Sequence, residues 1–164
     1  MNAKLTKGLA AAAISAAMML GAAAPALAED AATATVNVTY TQEGMGTRPS
    51  ETLNYISVNK SVEGSSKYSE TEFPTLEVTG ATVDSKTTSG EVTIKLPAYE
   101  TVGIYKYELT PSYTVSNDAG VTYDDQKLYV TVTVQQTENG LERTVAVHRG
   151  SEDGDKTGDI ALKY

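Results

Sequence analysis

Between Gly103 and Thr110 the chain reads G-I-Y-K-Y-E-L-T, so that Tyr105, Tyr107 and Leu109 alternate with Lys106, Glu108 and Thr110. Strict alternation of this kind describes a strand with one face in a core and one in water. The strand is predicted to run to Tyr113. Ser116-Asn117-Asp118 and Gly120 then supply turn chemistry, and Val121-Thr122-Tyr123 resumes a β composition.

The same period recurs along the chain. Thr35–Tyr40 places Val36, Val38 and Tyr40 on one face. Glu51–Val58 is a second strand whose apolar residues change phase, Leu53 and Tyr55 in one and Ile56 and Val58 in the other. That change predicts a bulge or burial on both faces. Pro74 demotes Glu72–Thr79 to an edge. Glu91–Leu96 alternates until Pro97 stops it, and Leu128–Val134 turns Leu128, Val130, Val132 and Val134 inward. Glu138-Asn139-Gly140 is a hairpin turn leading to a partner strand over Leu141–His148, and Ile160, Leu162 and Tyr164 are in phase at the end. Seven to nine short strands with regular turn signals and no helical period predict an all-β, immunoglobulin-like sandwich.

The helical-free pattern begins only after residue 28. Lys4 and Lys7, the apolar run Leu9–Leu20 and the small-residue site Ala26-Leu27-Ala28 read as a secretory signal peptide over residues 1–28. Residues 29–164 then form a single domain, with no membrane span once the leader is cleaved. The leader carries two lysines and no acid, so its removal makes the net charge of −8 more negative still. Such a surface disfavours nucleic acid and anionic membranes as partners. An exported chain without cysteine forgoes disulfides. With ten Tyr, one Phe and no Trp, its core is built from Val, Ile, Leu and tyrosine rings.

Several segments together resemble the streptococcal, Gram-positive pilin isopeptide linkage domain. They are Pro49–Tyr55 (P-S-E-T-L-N-Y), Ser61–Gly64, the L-P-x-Y and G-I-Y-K-Y of Leu96–Tyr107, Leu128–Val134, Asn139–His148 and Gly154–Thr157. The resemblance spans Thr35–Tyr164. It implies an exported structural surface, pilus-type or adhesin module with no catalysis of its own, partnered by other surface subunits or host and matrix ligands. The alternatives are a secreted module binding a carbohydrate or host protein, and a fragment of a longer anchored surface protein.

The resemblance also implies a site. In that family a lysine on the first strand bonds covalently to an asparagine on the last, and a glutamate on a strand between them promotes the reaction. Burial strips the lysine of its proton and keeps the glutamic acid neutral. Here the lysine position of I-x-K-x-Y falls on Val38, the glutamate position of Y-x-Y-x-I-x-E on Pro111, and the asparagine position of I-x-N-x-Y on Leu162. All three are apolar, which implies that packing replaces the bond. Lys60 and Glu108 are the rival lysine and glutamate, with Glu108 expected to face solvent.

Other chemistry is thin. His148, the one histidine, reads as packed or solvated rather than catalytic. Asp153-Gly154-Asp155 with Asp159 lacks the pattern of a calcium loop and reads as a solvated turn, so neither metal nor cofactor is expected. Leu96-Pro97-Ala98-Tyr99-Glu100 lacks the Thr-Gly pair and apolar tail of a sortase signal. Tyr99 and Tyr113, if exposed, offer a sugar-stacking platform.

Overall fold

A computed structural model describes residues 32–41, 50–84, 89–115 and 125–163. The proposed signal peptide, the loop at residues 42–49 and the turn and strand expected at residues 116–124 lie outside the described residues. Nine strands are described: β1 (Thr33–Thr41), β2 (Glu51–Glu63), β3 (Glu77–Thr79), β4 (Ala81–Val83), β5 (Ser89–Lys95), β6 (Gly103–Val115), β7 (Leu128–Thr137), β8 (Gly140–Arg149) and β9 (Asp159–Lys163). They form two sheets, ordered β3-β5-β1-β9 and β4-β2-β6-β7-β8. Within these sheets β1 and β9 run parallel, and the other neighbours are antiparallel.

The alternation in the sequence decides which residues meet between the sheets. Val36 and Val38 of β1 and Val92 and Ile94 of β5 are fully buried, as are Leu53, Tyr105, Leu109, Leu128, Val130, Val132 and Val147 of the five-stranded sheet. Burying one such side chain stabilises the fold by about 1.5–3 kcal/mol, the usual driving force for a sandwich.

The expected phase change in β2 is absent. Glu51, Leu53 and Tyr55 point inward, while Ile56 and Val58 point out, 58% and 49% exposed. The alternation is uninterrupted there, and both phases merely happen to be apolar. The bulge lies further on, between Asn59 and Ser61. It lets β2 continue pairing with β6 through a polar segment, as far as Glu63 opposite Ile104.

Two glycines are required by geometry. Gly80 carries the chain from β3 in one sheet to β4 in the other, where a Cβ would strike the Leu53 carbonyl and the Asn54 side chain. Gly140 has φ +117° and ends the β7–β8 reversal, in which Thr137 pairs with Gly140 around Glu138 and Asn139. Neither Glu138 nor Asn139 takes a positive φ, so the glycine alone supplies the left-handed residue.

Tyrosine rings fill one end of the core. Tyr105 meets Tyr99 at 4.4 Å between centroids, Phe73 at 5.5 Å and Tyr68 at 6.1 Å, and Phe73 lies 5.3 Å from Tyr107. Tyr107 donates its hydroxyl hydrogen to the Pro74 carbonyl at 2.8 Å, so the 2.6 Å contact with Tyr99 has Tyr99 as donor. Tyr105 donates to the Thr101 carbonyl at 2.8 Å. The rings thus tie the segment before β3 and the β5–β6 connection to the central strand. Tyr99 is buried, not the exposed platform residue considered from sequence, and Tyr113 packs half-buried against the core. The L-P-x-Y segment is a packed corner, with Leu96 buried and the Arg143 guanidinium donating to the Pro97 carbonyl.

Burial pushes the Tyr99 and Tyr107 hydroxyls well above the usual phenol range. A folded-state value raised above the unfolded one stabilises fully below about pH 10 and less as pH climbs past it. The melting temperature is therefore expected to fall from about pH 10 upward. Tyr107→Phe, which strands the Pro74 carbonyl, is expected to cost about 1–3 kcal/mol and to shift that alkaline limb; an unchanged limb contradicts the assignment.

Candidate cross-link site

The strands that meet at the candidate site come from opposite ends of the chain. The β1–β9 register sets Val38 beside Ile160 and Tyr40 beside Leu162. The Asn37 amide also donates to the Gly158 carbonyl at 2.6 Å, leading the last strand onto the first. Val38 is fully buried. Val38 and Leu162 therefore lie on adjacent strands but two register positions apart, and Tyr40 is the residue directly alongside Leu162. β1, T-A-T-V-N-V-T-Y-T, contains no lysine, and β9, D-I-A-L-K, contains no asparagine.

Pro111 belongs to the opposite sheet, on β6, in phase with buried Leu109 and half-buried itself. Its place follows from its chemistry. Proline has no N–H, so its pair with Tyr55 must be of the type that exchanges no backbone hydrogen bond. The ring nitrogen then points toward β7, and β7 has already ended, its last partner being Leu128 opposite Leu109. Proline is thus tolerated in β6 where that strand ceases to be central.

The family model for FctA, described as a Spy0128-like isopeptide containing domain, matches residues 27–159. The chain belongs to this family. No curated protein matches it. The FctA match agrees with the sandwich and with a pilin-type structural module, and among the described residues no helix is long and apolar enough to cross a membrane.

In an FctA domain the rival pair, Lys60 and Glu108, would need to face the interior, and here it does not. Lys60 lies on the outer face with Ile56 and Val58, and its Nζ is 3.6 Å from Glu108. Lys127 approaches the same carboxylate at 2.7 Å. The hydrogen bond from Lys127, helped by Lys60, holds the Glu108 carboxyl below the usual range. An acid kept ionised has no proton with which to polarise an amide. The cluster is instead an electrostatic clasp across β2, β6 and the approach to β7.

One buried acid was not singled out from sequence. Glu51, within the P-S-E-T-L segment, is 2% exposed and is the one charged residue buried among the described residues. Its phase with Leu53 and Tyr55 was the available signal. Its backbone neighbours are Val83 and Val115, at the end of the sheet. His148 is a positioning residue for the last loop. Its Nδ1 donates to the Gly154 carbonyl at 2.7 Å, while the Thr157 amide donates to Val147 at 2.9 Å. The Asp153–Asp155 turn is fixed by these bonds, and no group of three metal-ligating side chains occurs among the described residues.

The depressed Glu108 value contributes stability above the normal carboxylate range, which is lost as pH falls through the folded value. Glu108→Gln is expected to cost about 0.5–1 kcal/mol at pH 7. The gap between variant and wild type should close below about pH 4, as read by urea denaturation across pH. A gap that persists in acid contradicts the clasp.

Proposed function

We propose that this protein is an exported, non-enzymatic structural module of a Gram-positive cell surface, of the pilin or adhesin type, whose first and last strands are held by packing without the isopeptide bond of its family. The observation that carries this reading is the composition of the two paired strands: β1 offers no lysine and β9 no asparagine, whichever register is chosen. Val38, Pro111 and Leu162 stand at the family's reactive positions. Losing one member of a buried polar trio leaves the others uncompensated at several kcal/mol, whereas replacing all three by apolar side chains removes that penalty. The partners on this reading are other surface or pilus subunits. A sugar-stacking surface has less support, since Tyr99 is spent in the core.

Intact mass spectrometry of the secreted protein tests the bond, because an internal Lys–Asn isopeptide releases one ammonia. The expected mass is that of the unmodified chain after leader removal; a mass lower by one ammonia, mapped to a peptide joining β1 and β9, overturns the reading. Protease shaving of intact cells tests the location, with release of the domain expected and its retention in the cytoplasm contradicting it.

A further inference from the structure

The β7–β8 reversal sets an asparagine directly before a glycine at the tip of the five-stranded sheet. Glu138 and Asn139 form the turn, which the Thr137–Gly140 pair closes. Asn139 is exposed. Its backbone amide donates to the Thr137 hydroxyl at 3.2 Å, which holds the main chain there. Its side-chain carboxamide has no hydrogen-bond partner among the described residues. A Cβ built on Gly140 would meet nothing within 4 Å, so the surroundings of this peptide are open to water.

Asn139 is the one asparagine in the chain that is followed by glycine. Asn37, Asn54 and Asn59 precede Val38, Tyr55 and Lys60, whose side chains crowd their own backbone nitrogens. Asn59 is held further, because its carboxamide donates to the Thr71 and Phe73 carbonyls at 3.0 and 2.6 Å. Glycine has no Cβ to hinder an approaching group and the widest backbone freedom. Exposed tips are also where a chain best tolerates a change in its covalent structure.

We propose that Asn139 is a self-modifying site of the folded protein, converting through a cyclic imide to aspartate and isoaspartate. Hydroxide takes the Gly140 amide proton, and the nitrogen lone pair attacks the Asn139 Cγ. A bond forms between that nitrogen and Cγ, the Cγ–Nδ2 bond breaks, and Nδ2 leaves as ammonia with a proton from water, which restores the hydroxide. Water then adds to either carbonyl of the ring and opens it. Opening at Cγ gives aspartate. Opening at the main-chain carbonyl leaves the chain running through the side-chain carbon, which is isoaspartate.

Either product puts a carboxylate between Glu138 and Glu142, on a tip that is already acidic. Isoaspartate also lengthens the backbone of a tight turn whose closure at Thr137–Gly140 has no slack to absorb it. Fraying then reaches the next pair, Gln136 with Leu141, and stops where Val134 and Val145 are buried. Ammonia is also what the isopeptide bond of the family releases, so the peptide that carries the deficit separates the two. The imide lies within residues 128–143, between Lys127 and Arg143 as tryptic sites, whereas the bond would join β1 to β9.

Incubation of the full folded chain in mildly alkaline buffer at body temperature, followed by tryptic mapping and labelling with an isoaspartyl methyltransferase, tests the proposal. Residue 139 is expected to show the mass change of amide to acid, and the methyl label, before any other asparagine. The conversion is expected to quicken as pH rises, with amide exchange at Leu141 quickening in step. Asn139→Gln, which would need a larger and slower ring, is expected to lose the label from residues 128–143 and to melt at the wild-type temperature. An Asn139 that stays intact in the folded protein, another asparagine that converts first, or a label on residues 128–143 that Asn139→Gln leaves in place overturns the proposal.

Discussion

The parallel pairing of β1 with β9 is the constraint on which the rest of the sandwich depends. It joins the first described strand to the last, so nearly every other element lies within the loop that this pairing closes. It is also a short contact, five register pairs long, at the edge of a four-stranded sheet. Backbone bonds at such an edge contribute little net stability, about 0.5–1.5 kcal/mol each. What keeps the pairing shut is the apolar interior behind β1, where Val36 and Val38 pack with Val92 and Ile94. On the proposed reading this packing takes over a task that FctA relatives assign to a covalent bond.

The second support is the tyrosine cluster. A chain without tryptophan or cysteine must find large buried surface elsewhere, and here Tyr99, Tyr105 and Tyr107 provide it around Phe73. Their hydroxyls do more than avoid a burial penalty. Two of them reach connecting segments, Tyr107 the Pro74 carbonyl and Tyr105 the Thr101 carbonyl, with Ser65 linked to the Thr101 hydroxyl at 2.7 Å, while Tyr99 donates to the Tyr107 hydroxyl. The loops at that end are thereby ordered by the central strand rather than by each other.

Much of this was legible in the amino-acid sequence because strands and turns are local in their chemistry. Alternation located β1, β5, β6, β7 and β8; the segment around Pro74 did yield an edge strand, but only over Glu77–Thr79, with Pro74 outside it; and Asn139-Gly140 did mark a hairpin. The rest depends on partners distant in sequence. Nothing local tells which phase of β2 is inside when Leu53, Tyr55, Ile56 and Val58 are all apolar; pairing with β6 decides it. The three-residue β4 exists because Gly80 lets the chain change sheets, which no periodicity over three residues reveals. Whether Tyr99 would be exposed or packed was left open by its place after a strand end; the corner it occupies folds inward and buries it. At the site, Val38 and Leu162 were matched by motif spacing, while the register offsets them and puts Tyr40 alongside Leu162. An offset of two register positions is invisible until two strands are laid together.

Mechanical unfolding of a single domain, pulled from its two ends, addresses the closure most directly. A covalent tie between β1 and β9 would leave almost the whole chain locked in one loop, whereas strands held by packing release all of it. Thr33–Lys163 is expected to unravel completely, with a contour-length gain on the order of 400 Å. Forced extension that stops after only the few residues outside the β1–β9 loop would contradict it.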